Sequence, residues 1–263
     1  MTSAELIAVA SAEVGYLEKA SNSRLDEPTA NPGKGNWTKY ARDLAQAGYY
    51  NGNKNGYAWC NVFVDWCFYI ASGKNKELAQ NISCQSGKLG AVCTYSALYY
   101  KNVGRFGSAP TPGAQIYFKG DTGYAHTGIV ESSDDKYVYT IEGNASNSVC
   151  RKKYSLTNKT IAGYGYPCYS DDESCAEKAE SSAPTKREDS TIVTVNTFVL
   201  RVGSRGNTVQ TLQVLLNYWG EADLDVDGSF GTLTEQAVLR FQREKSLEVD
   251  GIVGKQTWTA LLN

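Results

Sequence analysis

Tyr57-Ala-Trp-Cys-Asn-Val-Phe-Val-Asp-Trp-Cys-Phe68, continued by Tyr69-Ile-Ala71, predicts a helix over 60–71. Phe63, Val64, Cys67, Phe68 and Ile70 would face a core on helical spacing. Cys60 then opens the helix, where unpaired backbone N–H groups and the positive end of the helix dipole lower a thiol's pKa. The chain has a single histidine in 263 residues, His126, within Gly123-Tyr-Ala-His-Thr-Gly-Ile-Val130. Any chemistry that needs an imidazole must use it. Cys60 and His126 suggest a thiol nucleophile and its general base. A buried cysteine and an incidental surface histidine would account for these two residues equally well, so their surroundings decide.

Upstream, Leu6, Ile7, Val9, Ala10 and Val14 give residues 3–15 an apolar helical face. A second short helix is predicted over 37–47, followed by a Gly/Asn-rich loop over 48–56. Downstream the period changes to strand-like runs at 115–118, 126–131, 137–142, 149–154 and 161–166, with Gly, Asp, Ser and Asn in the turns. Pro110-Thr-Pro-Gly113 is a rigid approach to the first of them. Helices followed by a meandering antiparallel sheet predict an α+β domain. Tyr139-Thr-Ile-Glu-Gly-Asn144 ends a strand. If His126 and Glu142 lie on neighbouring strands, the carboxylate can hold one imidazole nitrogen while the other faces Cys60. Asn144 can orient the ring or bind substrate as an amide.

Composition changes after Tyr169. Residues 171–190 carry 3 basic and 7 acidic side chains and little that could fill a core, so 170–195 reads as a polar linker between domains at 1–169 and 196–263. In the last domain Asn207–Tyr218 is amphipathic, with Val209, Leu212, Leu215 and Leu216 on one face. Val226-Asp-Gly-Ser-Phe-Gly231 recurs 23 residues later as Val249-Asp-Gly-Ile-Val-Gly254. In each copy Asp-Gly supplies a tight turn. Helices are predicted near 207–218, 231–243 and 255–262. Asp223, Asp225, Asp227 and Gly228 superficially suggest a calcium loop, but Thr234 stands where a bidentate glutamate belongs, so turn capping is the better reading.

The 26 basic and 28 acidic residues leave no basic excess, which argues against a nucleic-acid binder. No stretch reaches the roughly 20 apolar residues of a membrane span. Met1-Thr-Ser-Ala-Glu-Leu-Ile-Ala8 lacks the basic start of a signal peptide and reads as a helix of the mature protein. Seven cysteines, all within the first 175 residues, fit three disulfides plus one reactive thiol, with Cys84/Cys93 and Cys168/Cys175 able to close short loops. Cys67 reads as a buried apolar residue. With no close Cys-x-x-Cys pair, a zinc site is not expected, and neither is any other metal or cofactor.

Residues 57–68, Ala125-His-Thr-Gly-Ile-Val130 and Ile141-Glu-Gly-Asn144 resemble the CHAP family of cysteine- and histidine-dependent amidohydrolases/peptidases, which act on bacterial cell walls. The resemblance covers most of residues 1–169 and implies a papain-like fold. It makes Cys60 the nucleophile, His126 the base, Glu142 the orienting acid and Asn144 an assisting polar residue. Leu200-Arg-Val-Gly-Ser-Arg-Gly206, Val209-Gln-Thr-Leu-Gln213, Asp227-Gly228, Phe241-Gln242 and Asp250-Gly251 resemble a small three-helix peptidoglycan-binding domain. The implied partner is bacterial peptidoglycan and the implied reaction amide hydrolysis, by a monomer acting outside the cell or in the cell wall. Release without a signal peptide, as from a phage, fits that setting. Tyr57, Trp59 and Tyr124 are candidates to line the substrate groove or to pack in the core. Trp219 and Trp258 are glycan platforms or helix-packing residues, with packing favoured for Trp258. Endopeptidase action is slightly preferred over N-acetylmuramoyl-L-alanine amidase action, and a non-catalytic wall-binding protein is the alternative from another class.

Overall fold

The computed structural model describes residues 1–50, 52–85, 91–120, 123–170, 172, 199–220, 224–225 and 227–262. The chain divides into two compact units, residues 1–184 and 185–263. Most of the 170–195 segment lies outside the described residues.

In the first unit five helices precede the main strands: α1 (Ser3–Ala12), α2 (Lys39–Gln46), α3 (Cys60–Ala71), α4 (Lys76–Ile82) and α5 (Cys93–Asn102). The strands are β1 (Phe106–Gly107), β2 (Gln115–Gly120), β3 (Gly123–Ser133), β4 (Tyr137–Glu142), β5 (Cys150–Ser155) and β6 (Ile161–Gly165). They form one antiparallel sheet in the order β1-β6-β2-β3-β4-β5. The predicted meander holds from β2 to β5. The chain then returns across the sheet so that β6 pairs with the free edge of β2.

The decisive helix, α3, has its predicted bounds. Every residue from Cys60 to Phe68 is buried, so this helix lies inside the unit and is not a one-faced surface helix. Tyr40, Trp59, Phe63 and Trp66 interlock on one side of it, with ring centroids 4.9–5.7 Å from Tyr40, and Ile129 and Ile141 of the sheet join the same core. Helix α1 begins in a reciprocal cap, in which Thr2 Oγ1 accepts from Glu5 N and Glu5 Oε2 accepts from Thr2 N. It stops at Ala12, short of the predicted 15, because Glu13 turns inward to bind Lys39 Nζ and Tyr40 OH, both at 2.8 Å.

Helices α4 and α5 and the two-residue β1 escape the sequence reading. α5 is Cys-Thr-Tyr-Ser-Ala-Leu-Tyr-Tyr-Lys-Asn, rich in weak helix formers and without a clean apolar stripe. It forms because tertiary contacts satisfy it. Ser96 Oγ lies 2.7 Å from Tyr117 OH, and Ala97 and Tyr100 pack under β2.

The expectation of three disulfides is corrected. Cys60, Cys67, Cys84, Cys93 and Cys150 are thiols. Cys168 is disulfide-bonded, and its partner lies outside the described residues. The short Cys84/Cys93 loop does not form, because Cys84 Sγ turns toward Ile82 O while Cys93 Sγ meets another sulfur. Cys67 is fully buried, and burial pushes its thiol pKa up.

The second unit contains α6 (Asn207–Gly220), α7 (Thr232–Glu244) and α8 (Lys255–Leu262). Val209, Leu212, Leu215, Leu216, Val238, Phe241 and Leu261 are buried. The sequence repeat proves to be a repeated turn latch. Gln213 Nε2 donates to Asp227 Oδ1, Ser229 O and Thr234 Oγ1, while Gly228 N donates back to Gln213 Oε1. Gln242 does the same with Asp250, Ile252, Thr257 and Gly251. Asp227 therefore caps its turn. Asp223, the other end of the calcium reading, lies outside the described residues. Each glutamine satisfies several buried polar atoms at once, so Gln213→Ala or Gln242→Ala is expected to cost about 2–3 kcal/mol. Calorimetry of the full chain should show one transition lowered and the other unmoved. No described helix is long and apolar enough to cross a membrane.

Candidate active site

Cys60 is the first residue of α3, and its N-cap, Trp59, offers no side-chain hydrogen bond to the helix. The backbone N–H of Asn61, at the start of α3, helps to lower the Cys60 pKa. His126 stands on β3, Glu142 at the end of β4, and the antiparallel pairing Ile129↔Ile141 brings their ends together. His126 Nε2 lies 2.9 Å from Glu142 Oε2. Cys60 and the ring act on each other electrostatically, each shifting the other toward its charged form.

Glu142 is buried and fully engaged. Its Oε1 accepts from Thr140 Oγ1 at 2.6 Å, and its Oε2 also accepts from Tyr154 OH at 3.2 Å. Phe118 stacks obliquely on the imidazole, with centroids 5.7 Å apart. The carboxylate owes its room to Gly128, where a Cβ would fall 2.5 Å from Glu142 Cγ. Gly143 serves likewise where β4 meets α3, since a Cβ there would fall 2.4 Å from Phe63 Cβ. Gly128→Ala should therefore displace Glu142 and lower the pKa of His126. With one histidine in the chain, its NMR titration reads this without ambiguity.

The electrostatics fit an ion pair. For Cys60, the Cys93 thiol contributes most to holding the pKa well below the ordinary thiol range. Burial opposes this, and hydrogen bonding and charge at His126 reinforce it. For His126, burial favours the neutral ring, but Cys60 and Glu142 together outweigh it and raise the pKa to about 9. Cys93 shifts the opposite way, well above the ordinary range, because it lies beside Cys60 and is buried. The thiolate form of the pair is therefore favoured at Cys60.

A polar network behind the site was not legible in the sequence. Asn61 Oδ1 accepts from Gln115 Nε2 at 2.8 Å, Gln115 Nε2 also donates to Thr127 Oγ1 at 3.1 Å, and Asn61 Nδ2 donates to Asp65 Oδ2 at 3.1 Å. Asn61 follows Cys60 and Thr127 follows His126, so the network ties the helix start to the strand. Asp65 is fully buried, and burial raises its carboxyl pKa to about 8. The available signal was two polar residues, Asn61 and Asp65, one turn apart in an otherwise apolar helix. Thr140 and Tyr154 had no such signal, because their register with Glu142 depends on the strand pairing.

The other candidates separate. Asn144 adopts a left-handed conformation (φ 58°). His126 Nε2 is held by Glu142. Trp59 is corrected from groove wall to core. It is fully buried and donates from Nε1 to Glu18 Oε2 at 2.8 Å. Tyr57 is 68% exposed and remains a groove candidate. Tyr124 is half-buried against Tyr117 and Phe106, with Lys101 Nζ 5.0 Å from its centroid. Trp219 is partly buried. Its Nε1 donates to Leu261 O at 2.9 Å, and Lys245 Nζ sits 3.9 Å from its ring centroid. Trp258 is buried. Among the described residues no group of three or more His, Cys, Asp or Glu could hold a metal ion.

Comparison with known proteins follows the same two-part division. Residues 52–144 match the CHAP domain family, and residues 205–261 match the peptidoglycan binding domain family. No curated protein matches the chain. Similar solved structures include a Burkholderia AP3 phage endolysin (44% identity over 24% of each chain, TM-score 0.23). The SleB N-terminal domain is 40% identical over 24% of this chain and 86% of its own, with TM-score 0.24. A peptidoglycan-binding protein from Clostridioides difficile, in complex with glutamine hydroxamate, is 20% identical over 55% and 63%, with TM-score 0.25. This chain thus spans about a quarter of the length of the endolysin it matches. The chain carries a CHAP domain at residues 52–144 and a peptidoglycan binding domain at residues 205–261.

Proposed function

We propose that this chain is a peptidoglycan hydrolase that cuts cell-wall amide bonds with Cys60 as nucleophile. The observation that carries the reading is the Cys60–His126–Glu142 line. A depressed-pKa thiol sits at a helix start, against an imidazole whose far nitrogen is held by a buried carboxylate.

In the proposed cycle the Cys60 thiolate attacks the amide carbonyl. The first N–H groups of α3 receive the developing oxyanion. The His126 imidazolium gives its proton to the leaving amine, which departs and leaves a thioester on Cys60. His126, now neutral, takes a proton from water. The resulting hydroxide attacks the thioester, and Cys60 leaves as thiolate. Glu142 holds the ring in place throughout and favours its cationic form. The second domain would hold the enzyme on its polymeric substrate and raise the local concentration of cleavable bonds. The action belongs outside the cell or in the wall, where that substrate is found.

Peptide endopeptidase action is the preferred form, because a thiol nucleophile needs only a peptide carbonyl and no group here is assigned to the lactyl-sugar side. Product analysis on chemically varied peptidoglycans tests this. A new free amine on a peptide, absent with Cys60→Ala, is expected. Intact stem peptides released from muramic acid would make the enzyme an amidase instead. No cleavage by a reduced protein that still sediments with the wall would favour a binding protein.

A further inference from the structure

The proposed cycle uses one sulfur, yet two meet at the site. Cys93 opens α5 as Cys60 opens α3, and neither helix has a side-chain N-cap. The two Sγ atoms are 3.5 Å apart, and both residues are buried, at 6% and 5% exposure. The start of α5 is pinned to the strand that carries His126. Tyr124 N donates to Thr94 Oγ1 at 3.3 Å, and a Cβ on Gly123 would fall 2.8 Å from that same oxygen. Cys93 therefore faces the nucleophile by construction, held by the helix start and by β3. Of the neighbouring thiols, Cys84 turns to Ile82 O, and Cys67 lies two helical turns further along α3.

We propose that Cys93 is the resolving thiol for Cys60, so that a peroxide-class oxidant converts the pair into an intramolecular disulfide and shuts the site reversibly. The Cys60 thiolate attacks one peroxide oxygen. The O–O bond breaks, hydroxide leaves, and Cys60 becomes a sulfenic acid, oxidised by two electrons as the peroxide is reduced. Cys93 loses its proton and its sulfur attacks the sulfenic sulfur. The S–O bond breaks, the S–S bond forms, and the departing hydroxide takes up the proton as water. The sulfurs need only close from contact to the bonded separation of about 2 Å. Forming the disulfide removes Cys60 from the path to sulfinic and sulfonic acids, from which a thiol reductant cannot recover it. A dithiol returns two electrons and restores both thiols. The pairing rests on the sulfur geometry alone. Only the loss of hydrolysis rests on the function proposed above.

The test treats the full chain with hydrogen peroxide, blocks remaining thiols and maps peptides without reduction. The Cys60 and Cys93 peptides should appear joined, with two hydrogens lost, and dithiothreitol should separate them while restoring hydrolysis. In Cys93→Ser, Cys60 should accumulate as sulfinic and sulfonic acids that dithiothreitol does not repair. Overoxidation of Cys60 in the wild type as fast as in Cys93→Ser would overturn the proposal, as would a disulfide joining Cys93 to Cys84. The map reads the pair without peptidoglycan. Joined peptides in a protein that never cleaves the wall would count against the hydrolase reading only.

Discussion

Cys60→Ala is expected to lower peptidoglycan turnover by about 10⁴-fold or more, since removing the nucleophile of a coupled set leaves only binding and oxyanion stabilisation. The size of the loss follows from the site. The chain has one histidine, and its held nitrogen is committed to Glu142, so no second nucleophile–base pair involving an imidazole can be assembled. The fold should hardly respond. Alanine fills most of the space of a buried thiol at a helix start, so the melting temperature should stay close to that of the wild type. The variant should also sediment with purified walls as before, because residues 205–261 are untouched. Turbidity clearing and sedimentation of the same preparation check both halves.

The pH profile should carry the second large effect. The reactive form is thiolate beside imidazolium. Activity therefore rises while Cys60 loses its proton, below the ordinary thiol range, and falls as His126 loses its own through about 9. The two limbs belong to the coupled pair and not to either residue alone. Glu142→Gln removes the carboxylate that favours the cation. The basic limb should move down toward the ordinary histidine value of about 6.5. The acidic limb should move up, because a less cationic ring stabilises the thiolate less. At neutral pH kcat/KM should fall by about ten- to a hundredfold. Tyr154→Phe removes a donor that shares Glu142 Oε2 with the ring, so the basic limb should not move down as it does in Glu142→Gln. A basic limb that stays near 9 in Glu142→Gln would remove Glu142 from the mechanism.

The parts visible in the sequence were those set by local pattern. The apolar run after Cys60 defines α3 to the residue, because every position from Cys60 to Phe68 is buried. The strands from Gln115 onward follow from strand-like runs between turn residues, and the repeated Asp-Gly turns mark the second unit. Pairings across elements were not visible. Nothing local to Thr140 or Tyr154 says that they converge on Glu142, and nothing in α5 says that its weak helix formers will set Cys93 against Cys60. Trp59 misled for the same reason. An aromatic beside a nucleophile looks like a groove wall until Glu18, 41 residues earlier, is seen to hold its indole. The cysteine count was read through an oxidised frame. The fold instead keeps Cys60 and Cys93 as adjacent thiols.

The most direct measurement is the pH dependence of Cys60 alkylation by iodoacetamide, read by peptide mass mapping in wild type and His126→Ala. In the wild type Cys60 should react near pH 6, where an ordinary thiol of pKa about 8.5 is almost wholly protonated. Buried Cys67 should remain unmodified. In His126→Ala the Cys60 profile should move upward. A wild-type Cys60 that reacts only as pH passes the ordinary thiol range, with the same profile in His126→Ala, would contradict the activated thiolate on which the account depends.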